Sequence, residues 1–189
     1  METLNKLNIK IFADGADDKE IFKLNEKNYI KGFTTNPSLM RKANIKNYEI
    51  FAKDLLSKIK KKPISFEVFS DDLNVMEKQA EKIAKWGENV NVKIPITNTK
   101  NISTCELIHK LSSKGIICNI TAIFTFDQLK EVVDILHKDT PAILSVFSGR
   151  IADAGIDPEK IIAESVSCAK NKPYSEVLWA STREVFNIF

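Results

Sequence analysis

Short hydrophobic runs alternate with longer amphipathic stretches along the whole chain. The short runs are rich in β-branched residues and predict seven strands, at residues 9–14, 32–35, 64–69, 90–95, 117–121, 142–147 and 177–181. Between the strands, apolar residues recur every three or four positions, for example in 48–59 and 75–84, which is typical of amphipathic helices. Strands that alternate with helices predict repeated βαβ units, and therefore an α/β fold with a parallel sheet.

Two architectures fit this alternation, a closed (β/α)8 barrel and an open doubly wound sheet. No glycine-rich dinucleotide fingerprint follows the first predicted strand, which weakens the open-sheet alternative. In a barrel, the active site forms at the carboxyl ends of several different strands. The barrel alternative therefore predicts that functional side chains gather at those ends.

Polar residues stand at or just after the carboxyl end of each predicted strand. In chain order they are Asp14, Asn36, Glu67, Lys93, Asn119, Thr121, Ser145, Arg150, Ser181 and Arg183. A polar residue at one strand end means little, but seven successive ends with polar residues indicate one shared polar cavity.

Lys93 is the most informative member of this set, because its neighbours from Val90 to Ile96 are typical of a buried strand. A buried, unpaired ammonium group is costly, and it usually escapes by losing its proton. The neutral amine that results is a nucleophile, and it can form a Schiff base with a ketone or an aldehyde. The structural alternative is an edge-strand lysine that extends into water.

Two carboxylates, Asp14 and Glu67, are predicted on the inner face and can divide the proton transfers that Schiff-base chemistry requires. Thr121 can hold a water molecule between acid and amine. For Asp14 the structural alternative is a turn residue, because Asp14-Gly15 is a common turn pair.

Arg150 and Arg183 follow the sixth and seventh predicted strands, where positive charge suits the binding of a phosphate group. Their structural alternative is ordinary ion pairing. Asn36 with Pro37 also has such an alternative, because this pair begins a helix whatever the function.

The composition narrows the class of protein. With 189 residues, of which 43% are hydrophobic, the chain is long enough for one domain with a sizeable core. Its 28 basic and 25 acidic residues give a net charge of +3, so we expect neither nucleic acid nor a membrane as a partner. Three cysteines and two histidines are too few and too scattered for a disulfide framework or a metal site, and the sequence indicates no cofactor. No signal-peptide core or bilayer-length apolar segment is present, so we expect a reduced, cytoplasmic protein.

Seven segments together resemble the transaldolase family, in particular its small subclass that includes fructose-6-phosphate aldolases. They are Phe12-Ala13-Asp14, Thr34-Thr35-Asn36-Pro37-Ser38, Ser65-Phe66-Glu67-Val68, Val92-Lys93-Ile94-Pro95, Cys118-Asn119-Ile120-Thr121, Phe147-Ser148-Gly149-Arg150-Ile151 and Ala180-Ser181-Thr182-Arg183. The segments follow the family's order and cover almost the whole chain. Thr-Thr-Asn-Pro-Ser together with the lysine strand is the most specific combination among them.

The resemblance implies a (β/α)8 barrel and an aldol mechanism in which Lys93 forms a Schiff base with a sugar phosphate. It implies that Asp14 is the general acid and base at the carbon–carbon bond, and that Glu67, with Thr121 and a water, relays protons to and from the Schiff base. The implied substrate ligands are Asn36 and Asn119 for the dihydroxyacetone unit, and Ser145, Arg150, Ser181 and Arg183 for the phosphate.

Two activities compete within the family that the chain resembles. Transaldolases transfer the three-carbon unit to an aldehyde acceptor, whereas fructose-6-phosphate aldolases release it as free dihydroxyacetone. The chain resembles the transaldolases at Glu67 and at the substrate-site residue Phe147, where the aldolases typically have Gln and Tyr, so the resemblance favours a transaldolase. The segment Leu144–Ser148 departs from the commoner Ser-Pro-Phe-Val, and Thr182 replaces a frequent Phe, so the acceptor preference stays open.

The resemblance ends in a helix that opens at 182–189, so we expect a single barrel domain over residues 1–189 that lacks the eighth strand and the final helix. Seven strands leave two sheet edges that must be covered. A second class of function, a non-catalytic sugar-phosphate binder, therefore stands beside the enzyme. Small members of the family are commonly multimeric, so we also expect a homo-oligomer.

Overall fold

The computed structural model describes residues 7–188, in which seven strands alternate with helices. The strands are β1 (Ile11–Asp14), β2 (Ile30–Thr34), β3 (Ile64–Glu67), β4 (Val90–Pro95), β5 (Cys118–Ile123), β6 (Ala142–Val146) and β7 (Ser175–Trp179). The helices are α1 (Asp18–Asn25), α2 (Pro37–Lys42), α3 (Tyr48–Lys58), α4 (Leu73–Ala84), α5 (Cys105–Ser113), α6 (Phe126–Ile135), α7 (Ser148–Asp153) and α8 (Pro158–Ala169), and a 3-10 turn spans Val185–Ile188. All seven predicted strands are confirmed, with ends that lie within two residues of the prediction.

The strands form one parallel sheet, and their order across the sheet is their order along the chain. A doubly wound sheet reverses its strand order part-way across, so the open-sheet alternative is wrong. The sheet instead curls into a seven-stranded part of a (β/α) barrel, with β1 and β7 as its two edges among the described residues.

The outer face of the sheet carries the main hydrophobic core. Ile64 and Phe66 of β3, and Val92 and Ile94 of β4, are almost completely buried in a cluster that the helices complete. Full burial of one such side chain stabilises the fold by roughly 1.5–3 kcal/mol. The hydrophobic runs seen in the sequence therefore hold the central strands in place.

The loops that follow the strands lead into helices with side-chain caps. In six helices the cap residue accepts a hydrogen bond from a backbone amide of the first turn, and these residues are Asp17, Asn36, Asn47, Asp72, Thr125 and Asp157. Such caps typically stabilise a helix by about 1 kcal/mol. Asp17, Asn36, Asp72 and Thr125 each end a loop that leaves the carboxyl end of a strand, so these four caps help to fix the rim where the predicted site residues lie.

The inner face of the sheet is polar. In the register of the sheet, Lys93 lies beside Glu67 on one side and beside Asn119 on the other. At the β1 edge of the sheet, Asp14 is likewise paired with Thr34 of β2. Because paired residues of a parallel sheet share a face, the inward positions of β1 to β5 contribute to one polar face, on which Asp14 and Thr34 are level with Ser65, two residues before Glu67.

The two edge strands are less buried than the central ones. All residues of β6 are buried, whereas none of β1 or β7 is, and their side chains are half-buried or exposed. Lys10, just before β1, forms an ion pair with Glu176 of β7, so the two edges approach each other at their amino-terminal ends.

Candidate active site

The amine of Lys93 lies in the interior of the curled sheet. Lys93 is 9% exposed, and its Nζ lies 3.2 Å from Glu67 Oε2 and 3.3 Å from the main-chain oxygen of Thr35, to which it donates. The structural alternative of an edge-strand lysine is wrong, because β4 is the middle strand of seven. The sequence left open whether this buried amine has a partner, and the structure identifies Glu67 as that partner.

The carboxyl group of Glu67 is largely buried beside this amine. Burial raises the pKa of Glu67 above its ordinary value, the neighbouring Lys93 opposes that rise, and the charge of Asp14 adds to it. A carboxyl group with a raised pKa can both accept and return a proton near neutral pH.

Asp14 ends β1 at the edge of the same polar face. Its Oδ1 accepts a hydrogen bond of 2.7 Å from the hydroxyl of Thr34, and the residue is exposed because β1 is an edge strand. The turn alternative is compatible with this position, since the chain leaves the sheet at Gly15. Asp14 is close enough to Glu67 for its charge to act on the carboxyl group there.

A chain of hydrogen bonds crosses the inner face on the other side of Lys93. The amide Nδ2 of Asn119 donates to Ser65 Oγ at 3.0 Å, and Asn119 Oδ1 accepts from Ser145 Oγ at 2.7 Å. Asn119 and Ser65 are completely buried, and Ser145 is 2% exposed. These bonds fix the orientation of the Asn119 amide and leave one of its N–H groups free to bind a ligand.

Thr121 lies next on β5, where the strand carries a bulge. Its hydroxyl is buried and has no hydrogen-bond partner among the residues that the structure describes. The pairing of β5 with β6 shifts between Ile120 and Ile123, and Ala122 in the bulge adopts a positive φ of 60°. Bulges redirect side chains and are frequent beside active sites, and this one determines where Thr121 points.

Asn36 caps the short helix α2. Its Oδ1 accepts a hydrogen bond of 3.0 Å from the backbone amide of Leu39, and Pro37 is the first helical residue. The helix-start interpretation is therefore confirmed, and the Nδ2 group of Asn36 remains a donor for a ligand.

Phe147 and Arg150 lie at the start of α7, directly after β6. The guanidinium carbon of Arg150 is 5.6 Å from the ring centroid of Phe147, whose ring packs edge-on against Phe124. Arg150 is exposed, so the aromatic ring orients its cation at the rim of the barrel.

The loop after β7 packs tightly against α7. Ser181 adopts a positive φ of 63°, and its carbonyl oxygen would lie only 1.8 Å from a Cβ placed on Gly149. Arg183 donates to that same carbonyl oxygen at 2.9 Å, and its guanidinium forms an ion pair with Asp153. Arg183 therefore forms the ordinary ion pair that was the structural alternative for it. The hydrogen bond from Arg183 lowers the pKa of Asp153.

The predicted residues therefore fall into two groups. The inner group surrounds Lys93 and contains Asp14, Glu67, Asn119, Thr121 and also Ser145, which the resemblance placed at the phosphate. The rim group lies at α7 and the loop after β7 and contains Phe147, Arg150, Ser181 and Arg183. Asn36 stands apart, at the cap of α2.

Four groups that take part in this arrangement were not predicted. Thr34 lies opposite Asp14, and Ser65 lies two residues before Glu67 on β3. The alternation of inward and outward residues along β2 and β3 is the sequence signal that could have identified both. The main-chain oxygen of Thr35 and the hydroxyl of Tyr48, which donates to the main-chain oxygen of Glu67, have no comparable signal. Tyr48 fits the apolar pattern of α3, which predicts only helix packing for it.

Within residues 7–188, no three His, Cys, Asp or Glu side chains are grouped in a way that could hold a metal ion. In the same range, none of the helices combines the length and the apolar character needed to cross a membrane.

Comparison with known proteins assigns the chain to a family. A model of the transaldolase/fructose-6-phosphate aldolase family matches residues 11–189. A probable transaldolase of Nitrosopumilus maritimus is 34% identical, over 95% of this chain and 78% of the relative. Probable transaldolases of Dehalococcoides mccartyi and Brucella anthropi are each 35% identical, over 93% and 95% of this chain and 78% and 79% of the relatives. The chain therefore belongs to the transaldolase/fructose-6-phosphate aldolase family.

Proposed function

We propose that the chain is a Schiff-base transaldolase, which transfers a dihydroxyacetone unit from a ketose phosphate, such as fructose 6-phosphate or sedoheptulose 7-phosphate, to an aldose phosphate. The observation that carries this proposal is the buried amine of Lys93, which contacts one carboxylate at the carboxyl ends of a parallel sheet. Active sites of (β/α) barrels form at these ends. The names of the similar proteins and the family support a transaldolase or an aldolase.

Lys93 supplies the nucleophile. Its ammonium group gives a proton to Glu67, which lies 3.2 Å away, and the free amine adds to the carbonyl carbon of the ketose. Glu67 then returns the proton to the hydroxyl group of the adduct, water leaves, and an iminium ion forms on Lys93. The raised pKa of Glu67 suits both transfers, and the unpartnered hydroxyl of Thr121 can hold the water that leaves and later returns.

Asp14 breaks the carbon–carbon bond. It removes the proton from the hydroxyl on C4 of the ketose, and the electron pair of the C3–C4 bond moves into the iminium ion. An aldose phosphate leaves, and the three-carbon unit stays on Lys93 as an enamine. A second aldose phosphate is attacked by the same carbon in the reverse sequence, and hydrolysis releases the new ketose phosphate.

Asn36 and Asn119 hold the retained three-carbon unit. The hydrogen bonds from Ser145 and to Ser65 fix the Asn119 amide, so its remaining N–H group has a defined direction toward the inner face. This position favours a role for Ser145 in orienting Asn119.

Arg150 binds the phosphate group at the rim, close to Phe147. It is the exposed cation of the rim group that no carboxylate engages directly in the described range, whereas Arg183 is paired with Asp153. Arg183 and Ser181 shape the loop beside it, and the charge of Arg183 adds to the positive field there.

Borohydride trapping with fructose 6-phosphate, followed by peptide mapping, tests this function. We expect a covalent adduct on Lys93 in the wild-type protein, and none in a folded Lys93→Met variant, which should also lose turnover. Lys10→Met is the matched control, because it removes a lysine that lies outside the site. No adduct on the folded wild-type protein would favour a non-catalytic sugar-phosphate binder.

The two activities of the family are separated by a second measurement. With fructose 6-phosphate as the donor, transfer to erythrose 4-phosphate is compared with release of free dihydroxyacetone. We expect transfer to dominate, and dominant release would assign the chain to the aldolases.

A further inference from the structure

Tyr48 is held rigidly beside the candidate site. It is the first residue of α3, directly after the cap residue Asn47, and its ring packs edge-on against three aromatic rings. The centroid distances are 6.1 Å to Phe66, 4.8 Å to Phe69 and 5.1 Å to Trp86. Such a cage on three sides leaves a two-torsion side chain little freedom, so the position of the Tyr48 hydroxyl is well defined.

The Tyr48 hydroxyl is a permanent hydrogen-bond donor. It donates to the main-chain oxygen of Glu67 at 2.9 Å, and it lies near the side chain of Thr35, whose hydroxyl donates to the main-chain oxygen of Ser65. Burial, and secondly the charge of Glu67, raise the pKa of Tyr48 far above the ordinary value. The hydroxyl therefore stays protonated at neutral pH, where it is a donor and not a base.

Glu67 and Thr35 are also the two residues that contact the amine of Lys93. Glu67 contributes a carboxylate oxygen at 3.2 Å and Thr35 its main-chain oxygen at 3.3 Å. Tyr48 is therefore bonded to Glu67 at the end of β3 and lies near Thr35 just after β2, and these are the two residues that contact the amine.

We propose that Tyr48 is a positioning residue, which holds Glu67 and Thr35 at bonding distance from Lys93 and so sets the rate at which the Schiff base forms. The inference rests on the proposed function, because it concerns the same amine. Tyr48 acts through Glu67 and Thr35 and makes no contact of its own with the reacting atoms.

Tyr48→Phe removes the hydroxyl and keeps the caged ring. The main-chain oxygen of Glu67 then loses a buried partner, and the carboxylate is no longer held against the amine. We expect the rate of borohydride-trapped adduct formation on Lys93 to fall about tenfold, while KM for fructose 6-phosphate changes less than twofold.

The pH profile separates positioning from a general loss of stability. The charged groups that act on Glu67 are Lys93, which lowers its pKa, and Asp14, which raises it. When Glu67 moves away from Lys93, the amine lowers the pKa of Glu67 less. The fall of the trapping rate at low pH, its acid limb, should therefore move to higher pH in Tyr48→Phe. If Tyr48→Phe only destabilised the fold, its trapping rate would keep the wild-type pH midpoint at temperatures below the melting temperature of the variant.

Tyr174→Phe is the matched control, because it makes the same chemical change at an exposed tyrosine. We expect wild-type rate and pH midpoint for it. Thr35→Val is the second test, since it removes the hydroxyl near Tyr48 but keeps the main-chain oxygen that contacts Lys93. Its effect should not add fully to that of Tyr48→Phe in the double variant, because neighbouring groups that support the same amine are coupled.

Each outcome decides the inference. If the wild-type protein forms the adduct but Tyr48→Phe shows an unchanged rate or an unmoved acid limb, only the role of Tyr48 is overturned. Fully additive losses in the double variant would also overturn it. Absence of an adduct in the wild-type protein refutes the proposed function, and the inference with it.

Discussion

The centre of the sheet and the end of the barrel at β6 and β7 hold their functional side chains in different ways. Around Lys93, the side chains of Glu67 and Asn119 are shielded from water and bound to other groups of the inner face. Arg150 and Arg183, beyond β6 and β7, are exposed and contact an aromatic ring and an aspartate on α7.

This difference follows from what each group has to do. Proton transfer between an amine and a carboxyl group needs altered pKa values and fixed distances, and burial between paired strands provides both. A phosphate carries a large charge that arginine recognises even in contact with water, so it can be bound at a rim built from loops. Changes at the centre should therefore impair chemistry and stability strongly, and changes at the edges weakly.

Glu67→Ala should show the largest effect. Loss of the proton acceptor beside Lys93 should slow adduct formation by roughly 10²–10⁴-fold, the range typical of general acid–base catalysis. In the wild-type protein, the rate should fall as the pH drops through a midpoint above that of an exposed glutamate, because the pKa of Glu67 is raised and only the ionised form accepts a proton. Trapping rates between pH 4 and pH 9 measure both effects, and Glu67→Ala should lack the fall at low pH.

Glu176→Ala is the control for that prediction, because it makes the same change at the edge of the sheet. Its trapping rate should stay within about twofold of wild type. A comparable loss in both variants would contradict the distinction between centre and edge.

Leu144→Ala and Leu178→Ala compare two neighbouring strands in stability. Leu144 of β6 is completely buried, and its truncation should lower the free energy of unfolding by about 2–5 kcal/mol. Leu178 of β7 is only half-buried, so about 1 kcal/mol is expected. Urea denaturation measures both values, and equal losses would show that the β7 edge is as well covered as the centre.

Gly149→Ala tests the rim. The new Cβ would collide with the carbonyl oxygen of Ser181, so the loop after β7 must move, at a cost of about 1–3 kcal/mol. We expect KM for fructose 6-phosphate to rise about tenfold with little change in kcat, because the displaced loop borders Arg150. Gly15→Ala, which meets no atom within 4 Å, should leave steady-state kinetics as they are.

Lys10→Met should have the smallest effect. The ion pair of Lys10 with Glu176 is more than half exposed to solvent on both sides, and such pairs contribute at most about 1 kcal/mol. The difference in the urea midpoint between variant and wild type should shrink further at 1 M salt. A larger, salt-independent loss would mean that the contact between β1 and β7 is a principal support of the fold.

The sequence predicted the strands and the inner face because both depend on local periodicity. Lys93, Glu67 and Asn119 each follow an apolar position of a strand, and the two-residue period assigns them to one face. The partners of these side chains depend on distances between strands and helices that no local pattern encodes. The hydrogen bond from Ser145 to Asn119 is one such contact, whereas the resemblance implied that Ser145 binds the phosphate.

Tyr48 shows the same limit more clearly. An aromatic residue at an apolar helix position predicts packing, and its ring does pack against Phe66 and Trp86. Only the three-dimensional arrangement shows that its polar atom reaches the end of β3. Likewise, the positive φ of Ala122 has no signal in a run of residues that suits a regular strand.

The position of β4 in the strand order has a consequence for local unfolding. Because β4 is the middle of seven strands, fraying from either side must separate three strand pairs before it exposes Lys93. Backbone amides of β4 should therefore exchange with solvent deuterium among the slowest in the chain, and those of β1 and β7 among the fastest of the sheet. The amine on which the proposed chemistry depends is thus carried by the segment that local opening reaches last.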